Sequence, residues 1–504
     1  MSVRVRFAPS PTGALHIGGI RTALYNYLFA KKNSGTFILR IEDTDQGRFV
    51  SGAEEYILEA LRWCGIEPTE GIGYGGVHVP YRQSERKHIY AEYALELINS
   101  GKAYYAFDTE TDLEAMRARL ADAGVPAPKY DATVRMTMKN SLSLHASEIQ
   151  NLKDLGVPYV IRLKVDPGHS VLFNDIVRGE VTFESKELDD KILIKGDGMP
   201  TYHMANVIDD HTMEISHVIR GEEWLSSTAH HLLLYAAFGW VHPEFAHLPL
   251  LMKPDGKGKL SKRDGSKFGI PVFPLSWKGH TAEDSFEGFR EYGFEPEALI
   301  NFLAFLGWNP GTDQEIFSLD EFVTAFDLHK VHKSGARFDI EKAKWFNQQY
   351  IKRMSPDEIK LKLLPILQSK GWMVESKKLD QIISLYHDRV QLIKDIPWQA
   401  NYLFTAVEAI DAEGFKKHWK PELKPQILAF CDSIKSMASF TAPQFETGAK
   451  EKLKEYALKP GDVFPIFRLG LCGSLQGPTV FQMLEILGVE GVDRIVNMIN
   501  SYSN

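Results

Sequence analysis

The strongest constraint on this chain is how it begins. Val3, Val5 and Phe7 alternate with Arg4 and Arg6, the period of a half-buried strand. The run ends in Pro9-Ser10-Pro11-Thr12-Gly13, and Ile20, Ala23, Leu24, Tyr27 and Leu28 then follow at the spacing of one helical face. Strand, turn and helix are thus packed into the first thirty residues. A second strand is predicted at residues 36–41, ending in Glu42-Asp43-Thr44-Asp45, with a helix from about residue 52 to residue 64. Further strands are predicted at 191–195 and 215–219, each leading into a helical pattern. Strands alternating with helices imply a parallel sheet that binds ligands beyond the strands' carboxyl ends.

Residues 81–190 interrupt the alternation and are too long for a simple crossover, which predicts an inserted α+β domain. Beyond about residue 265 the strand signal fades. From about residue 338 helical periodicity dominates, as in Ile359, Leu361, Leu363, Leu364 and Ile366 before Lys370-Gly371. A chain of 504 residues has material for roughly three to five domains.

Composition removes several classes of function. No apolar run reaches the roughly 18 residues that span a bilayer, and the N-terminus lacks a charged, then apolar, then small-residue stretch, so a cytoplasmic protein is expected. Cys64, Cys431 and Cys472 lie far apart without Cys-x-x-Cys pairing, which predicts buried free thiols in place of a disulfide framework or a cysteine zinc site. The net charge of −8 is uneven: from Arg337 onward 23 Lys/Arg face 20 Asp/Glu, giving +3 and leaving −11 for the first 336 residues. That balance permits local nucleic-acid contacts, and a solvated surface accounts for it equally well.

Two elements carry phosphate chemistry. His16-Ile17-Gly18-Gly19 falls where the first turn hands over to a helix. Gly18 and Gly19 let a ligand approach the backbone, the unpaired amides and positive end of the helix attract phosphate, and His16 can add a hydrogen bond. Lys259-Leu260-Ser261-Lys262-Arg263, preceded by Lys253-Pro254-Asp255-Gly256-Lys257-Gly258, forms a lysine-rich loop able to close on a departing pyrophosphate. A histidine at a helix start is also a common cap and a basic loop a common solvated surface, so neither element is specific alone.

Together with Arg6-Phe7-Ala8-Pro9-Ser10-Pro11-Thr12-Gly13 and Leu39-Arg40-Ile41-Glu42-Asp43-Thr44-Asp45, in that order, these motifs resemble the bacterial glutamyl-tRNA synthetases. The resemblance continues through Tyr81-Arg82-Gln83-Ser84, Tyr202-His203-Met204-Ala205-Asn206-Val207-Ile208-Asp209-Asp210-His211 and Val218-Ile219-Arg220-Gly221-Glu222-Glu223-Trp224, and is diluted beyond Arg263. It implies a multidomain α/β plus all-α fold. Residues 1–80 and 191–250 would form a Rossmann-like class I synthetase catalytic domain, and 81–190 an inserted acceptor-end-binding domain. Residues 251–337 would form a stem-contact domain with the lysine-rich ATP loop, and 338–504 a helical anticodon-binding region of two subdomains. The implied reaction joins L-glutamate to ATP, with Mg²⁺, to give glutamyl-adenylate and pyrophosphate. The acyl group then passes to the 2′-hydroxyl of the 3′-terminal adenosine of tRNA(Glu), releasing AMP. Family membership further implies that activation waits for bound tRNA and that the protein is a monomer; charging of tRNA(Gln) as well is left open.

The resemblance also assigns residues. Arg6, Ser10, Glu42, Tyr202, Asn206 and Arg220 match positions that line the amino-acid pocket. The chemistry agrees, since a guanidinium offers paired donors to a carboxylate and Glu42 suits the substrate ammonium. Arg6 is expected to take the side-chain carboxylate and Arg220 the α-carboxylate. His16, Gly18, Gly19, Lys259, Ser261 and Lys262 match ATP-binding positions, with His16, Lys259 and Lys262 catalytic and Glu223, Trp224 and Leu251 around the nucleoside. Gly19 stands where the motif often has a second histidine. In the insertion, Lys129-Tyr130-Asp131-Ala132-Thr133-Val134-Arg135, Ile161-Arg162 and Phe173-Asn174-Asp175-Ile176-Val177-Arg178-Gly179 resemble the family's acceptor-end-binding domain, with Ala132 where glycine is common. Some relatives hold zinc there through cysteines; none lies between Cys64 and Cys431, so no structural zinc is expected. Arg389 and Arg468 are the expected anticodon contacts.

Competing identities fit less well. A glutaminyl-tRNA synthetase would carry β-barrels where this chain reads as helices, and the truncated relative that modifies a tRNA base lacks the helical end. A tRNA-binding protein without catalysis has no use for the lysine loop, and a nucleotidyltransferase none for the glutamate set.

A lysine that meets charge formed only in the transition state affects turnover more than ground-state binding. Lys262→Ala is therefore expected to slow glutamate-dependent pyrophosphate exchange about 100-fold or more. Unchanged turnover with a raised KM for ATP would assign Lys262 to nucleotide binding alone.

Overall fold

In the computed structural model, which describes residues 2–279, 281, 284–437 and 441–502, the alternating N-terminal run forms β1 (Arg4–Phe7). β2 (Thr36–Leu39) and β3 (Glu70–Gly71) lie parallel beside it in the order β1-β2-β3. The helix Ile17–Lys32 crosses from β1 to β2 and buries Ile17, Ile20, Ala23, Leu24 and Leu28, most of the predicted face. At Gly71, φ is +125°, and an added Cβ would stand 2.1 Å from the Leu39 carbonyl oxygen. Only glycine permits so close a pairing.

β4 (Ala103–Ala106) and β5 (Val160–Leu163) pair antiparallel, and β6 (Ser170–Asp175) forms an antiparallel hairpin with β7 (Gly179–Glu184). β8 (Ile192–Ile194) pairs antiparallel with β5, giving a three-stranded sheet β4-β5-β8. β9 (His217–Gly221) and β10 (Glu244–Leu248) run parallel with Arg220 opposite His247, in the four-stranded order β7-β6-β10-β9. The Ser216 N–H donates to the Arg4 carbonyl at 2.9 Å, which brings the start of β9 alongside β1.

Three strands, β8 and the pair β6 and β7, sit elsewhere than the sequence alone places them. Residues 191–195 do extend, but β8 joins the antiparallel sheet because the neighbouring buried Asp190 is fixed there, accepting from the Tyr104 hydroxyl at 2.6 Å and the Val165 N–H at 3.0 Å. Residues 170–184, counted with the insertion at 81–190, instead extend the β9/β10 sheet, with β6 parallel to β10 at Asp175 and Phe245. The cue lies in β6 itself, where Val171, Phe173 and Asp175 are buried and Ser170, Leu172 and Asn174 exposed. Val171 and Phe173 share a core with Val218, Leu232 and Phe245.

By its internal contacts the chain divides into two units, Met1–Ala343 and Lys344–Asn504. Within the second, the described residues form helices and no strand. The helix Pro356–Ser369 starts from a capping box in which Glu358 accepts from the Ser355 N–H at 2.7 Å and hydroxyl at 2.8 Å. Its buried face is Ile359, Leu363 and Leu367, whereas Leu361, named with them in the sequence, is 72% exposed because it lies off that stripe. The helices Pro460–Cys472 and Val480–Tyr502 approach closely at Gly470, where a Cβ would come within 2.8 Å of Ile495 Cα. No helix among the described residues is long and apolar enough to cross a membrane.

Because the cores under the β4-β5-β8 and β7-β6-β10-β9 sheets close within Met1–Ala343, that unit expressed alone is expected to keep its secondary structure and melt in one cooperative transition. Circular dichroism against temperature tests this; a broad, non-cooperative loss of signal would show that it depends on the helical unit.

Candidate active site

The carboxyl ends of β1, β2 and β9 bring together side chains far apart in sequence. Arg6 on β1 is buried and grips Asp210 with two parallel bonds, Nε–Oδ1 at 3.0 Å and Nη2–Oδ2 at 3.1 Å. Arg40, fully buried, donates to the same carboxylate at 2.8 Å and to Glu42 Oε1 at 3.0 Å. Asn206 also donates to Glu42 Oε1, at 3.0 Å. Asp209 receives the Arg86 guanidinium at 2.8 Å, the Gln83 amide at 2.9 Å and the Tyr90 hydroxyl. Arg6, Arg40 and Arg86 thus balance Glu42, Asp209 and Asp210. Burial acts to raise the Asp210 pKa, but Arg6 and Arg40 outweigh it and hold the carboxylate below its usual range. For Glu42 burial wins over Arg40 and Arg6, and its pKa is raised. Among the described residues Glu42 Oε2 and Arg6 Nη1 make no hydrogen bond, so each can serve a ligand.

Arg220 differs from these. It is buried and makes no ion pair among the described residues. Its Nε donates to His247 Nε2 at 3.1 Å, Nη1 to the Tyr202 hydroxyl at 2.9 Å, and Nη2 to Thr228 Oγ1 at 2.8 Å and the Trp224 carbonyl at 3.2 Å. His231 Nδ1 stands 3.4 Å from Nη1, and its pKa is pushed well down by burial first and Arg220 second. All these partners are neutral. The Tyr202 ring lies 4.4 Å from that of Trp224, which stays 41% exposed at the rim.

A second group of side chains is built on the turn after β1. His16 caps the helix Ile17–Lys32, its Nδ1 accepting the Gly18 N–H at 3.1 Å. Burial, reinforced by Lys262 and Lys259, lowers its pKa to about 3, so the ring is neutral and its proton sits on Nε2. That buried N–H has no partner among the described residues and is a ready donor. A Cβ on Gly19 would meet Leu15 Cδ1 at 2.4 Å, so a second histidine there would displace Leu15. Lys262 Nζ lies 5.9 Å from the centre of the Phe273 ring and within 3.4 Å of where a Cβ on Gly13 would stand. Partial burial lowers its pKa, and it has no ion pair among the described residues. Lys259 is paired with Glu223 at 2.9 Å. The loop is shaped by Asp264, which accepts from the Ser261 N–H at 2.8 Å and hydroxyl at 2.6 Å and pairs with Lys253 at 3.1 Å. Leu251 is buried in β11 (Leu251–Met252), beside β12 (Ala336–Arg337), and its carbonyl accepts the Leu260 N–H at 2.7 Å.

The structure therefore joins Arg6, Glu42 and Asn206 through Arg40 and Asp210, and Tyr202 to Arg220. The buried Tyr202 hydroxyl feels the charges of Arg220, Glu42, Arg6 and Asp210, which makes the two sets neighbours, and Lys262 likewise acts on His16 across the first turn. Ser10 is exposed on that turn. In the helical unit Arg389 is exposed, whereas Arg468 is engaged with the carbonyls of Gly477 and Pro478 and secures the turn after its own helix. The roles of Arg40, Asp209, Asp210, Asp175 and His247 escape sequence reasoning. One signal was present: Tyr202, Asn206, Asp209 and Asp210 form a polar stripe at helical spacing, and on a buried helix such a stripe must be paired.

Residues 2–345 match the family model described as tRNA synthetases class I (E and Q), catalytic domain, and residues 348–498 match the anticodon binding domain. Those matches, on a parallel sheet with its polar side chains at the strand ends, define a class I aminoacyl-tRNA synthetase. Glutamate–tRNA ligases of Amoebophilus asiaticus and Flavobacterium johnsoniae are 50% and 51% identical over 96% and 99% of this chain and 95% and 99% of their own. The crystal structure of a glutamate tRNA ligase from Elizabethkingia meningosepticum in complex with its amino acid superposes with a TM-score of 0.95 at 48% identity, covering 100% of this chain and 99% of that one. The chain belongs to the glutamate–tRNA ligase family.

Removing Asp210 would leave two buried guanidiniums without their shared carboxylate. Asp210→Ala is expected to cost about 3–5 kcal/mol in denaturant unfolding of the Arg6-containing unit. A loss below about 1 kcal/mol would mean that Arg6 and Arg40 find other partners.

Proposed function

We propose that this chain activates L-glutamate with ATP to glutamyl-adenylate and transfers the acyl group to the 3′-terminal adenosine of tRNA(Glu). The observation that carries this reading is the pocket's charge: Glu42 Oε2 is free for an ammonium, while Arg220 is a buried cation without a counter-ion. The α-carboxylate attacks the α-phosphorus, His16 Nε2–H and Lys262 meet phosphate oxygens, and Lys259 leaves Glu223 to join them as pyrophosphate departs. No side chain becomes covalently linked, so positioning and charge stabilisation supply the rate. The carboxylate facing the lysine loop, Glu223, is already paired, and the side chains here fit phosphate better than a protein metal cage. Mg²⁺ is accordingly proposed to be held by the triphosphate and water, where it would neutralise phosphate charge.

Residues 81–190, less the β6–β7 hairpin, are proposed to hold the acceptor end, residues 251–337 the stem, and the helical unit the anticodon, with exposed Arg389 the better placed of its two arginines. A cytoplasmic monomer is proposed, and charging assays on purified tRNA(Glu) and tRNA(Gln) distinguish a strict enzyme from one that uses both.

The charge around the two arginines supports the opposite division of labour from the one the resemblance favours. Arg6 already has Asp210, so a neutral amide beside it costs little. Arg220 has only neutral partners, and glutamine in place of glutamate would leave its charge buried and uncompensated. Arg220 is therefore assigned the side-chain carboxylate. Arg220→Gln is expected to lower kcat/KM for glutamate by the equivalent of about 2–4 kcal/mol and to narrow the glutamate-to-glutamine ratio, whereas Arg6→Gln lowers both substrates more evenly. Activation assays with the two amino acids decide; a ratio unchanged by Arg220→Gln would remove Arg220 from discrimination.

A further inference from the structure

Behind Arg220 lies a pair of side chains closed off from solvent, one of which contacts Arg220 directly. His247 is fully buried on β10 and stands opposite Arg220 on β9. Asp175, 2% exposed, ends β6 on the other side of β10. The Asp175 carboxylate lies 2.6 Å from His247 Nδ1 and accepts backbone N–H groups from Val177 at 3.0 Å, Arg178 at 2.9 Å and His247 itself at 3.2 Å. The Phe173 and Phe245 rings flank the imidazole at 6.4 and 6.2 Å.

We propose that Asp175 and His247 form a positioning relay that orients Arg220 while denying it a contacting counter-ion, so that the ligand carboxylate supplies the missing charge. The proposal rests on Arg220 facing the substrate carboxylate. The polarity of the chain of bonds follows from its ends. An ionised Asp175 only accepts, so His247 Nδ1 must carry the proton and Nε2 must present its lone pair. That lone pair receives the Arg220 Nε–H at 3.1 Å, with the Thr228 hydroxyl 3.2 Å away. Thr228 Oγ1 in turn accepts from Arg220 Nη2. The guanidinium is thereby held along its Nε–Nη2 edge by two neutral acceptors. A carboxylate in the place of the imidazole would hold it as firmly but would cancel its charge, and the pocket would then distinguish acid from amide poorly.

Charge around His247 agrees. Asp175 and Arg178 face it from the β6–β7 turn and Arg220 from β9, while His231 lies beyond Arg220 on the helix Ser227–Phe238. Burial and the two arginines favour a neutral ring over the opposing pull of Asp175, and the His247 pKa is lowered. Burial acts to raise the Asp175 pKa, and its hydrogen bonds and His247 outweigh that.

Three variants of the full-length enzyme test the relay, with KM for glutamate, KM for ATP, the glutamate-to-glutamine ratio and the melting temperature measured for each. His247→Phe keeps ring volume but offers Arg220 no acceptor, and is expected to raise KM for glutamate at least about tenfold, leave KM for ATP near its original value and narrow the ratio. His247→Gln, whose amide donates at one end and accepts at the other, is expected to restore most of both. Asp175→Asn frees the tautomer and is expected to behave like His247→Phe. If Arg220→Gln raises KM for glutamate while His247→Phe and Asp175→Asn do not, the relay is overturned and the pocket stands. If Arg220→Gln also changes nothing, the pocket assignment fails first. Should His247→Phe not fold, ¹⁵N-histidine spectra of the original protein, with His247 assigned by difference from His247→Gln, decide: an Nδ1-protonated neutral ring supports the relay, and an Nε2-protonated ring overturns it.

Discussion

Asp210 holds Arg6 and Arg40 in a place from which water is excluded, and the shape of the pocket depends on that grip. A buried guanidinium is costly unless paired, and a single carboxylate with two oxygens can align two of them only in a narrow range of positions. Arg6 is thereby fixed to β1, and Arg40 is left to reach Glu42, whose second oxygen is turned free. Asp209 repeats the arrangement one residue earlier, gathering Arg86, Gln83 and Tyr90 from the segment that opens the insertion. The helix Tyr202–Thr212 is in this sense a charge spine to which three separate parts of the chain are tied.

The turn after β1 obeys a different economy. There the useful groups are left unsatisfied: a neutral His16 with an unpartnered N–H, a Lys262 without an ion pair, and the helix N-terminus between them. Lys262 costs little in a partly open turn, where water can take a ligand's place, whereas the buried His16 N–H carries the cost of an unmet donor until a ligand accepts from it. Lys259 alone is provisionally paired, with an exposed Glu223, and exposed pairs are weak enough to exchange.

The opening strand, turn and helix were legible because alternation, two prolines and a glycine, and apolar three-and-four spacing all agree over a few residues. The helical end was legible for the same reason, though Leu361 shows that an apolar residue inside a helical run need not face the core. Arg6, Glu42 and Arg220 could be named from their charge and motif. What they do with one another could not, because Asp210 lies 204 residues from Arg6 and 170 from Arg40, and no periodicity connects such distances. The sheet that takes the β6–β7 hairpin is hidden on similar grounds: its alternation marks strands but says nothing of which sheet receives them.

That hairpin has a consequence for how the molecule can be taken apart. In sequence it lies inside the stretch that interrupts the first domain, yet Asp175 at its tip stands behind the amino-acid pocket. A graft that exchanged the interrupting segment at its sequence boundaries would replace the wall behind Arg220 together with it. The two regions are separable on paper and interlocked in space, so a chimera that exchanged the segment at its sequence boundaries would also replace Asp175, the partner of His247 behind Arg220, unless its second junction were placed ahead of residue 170.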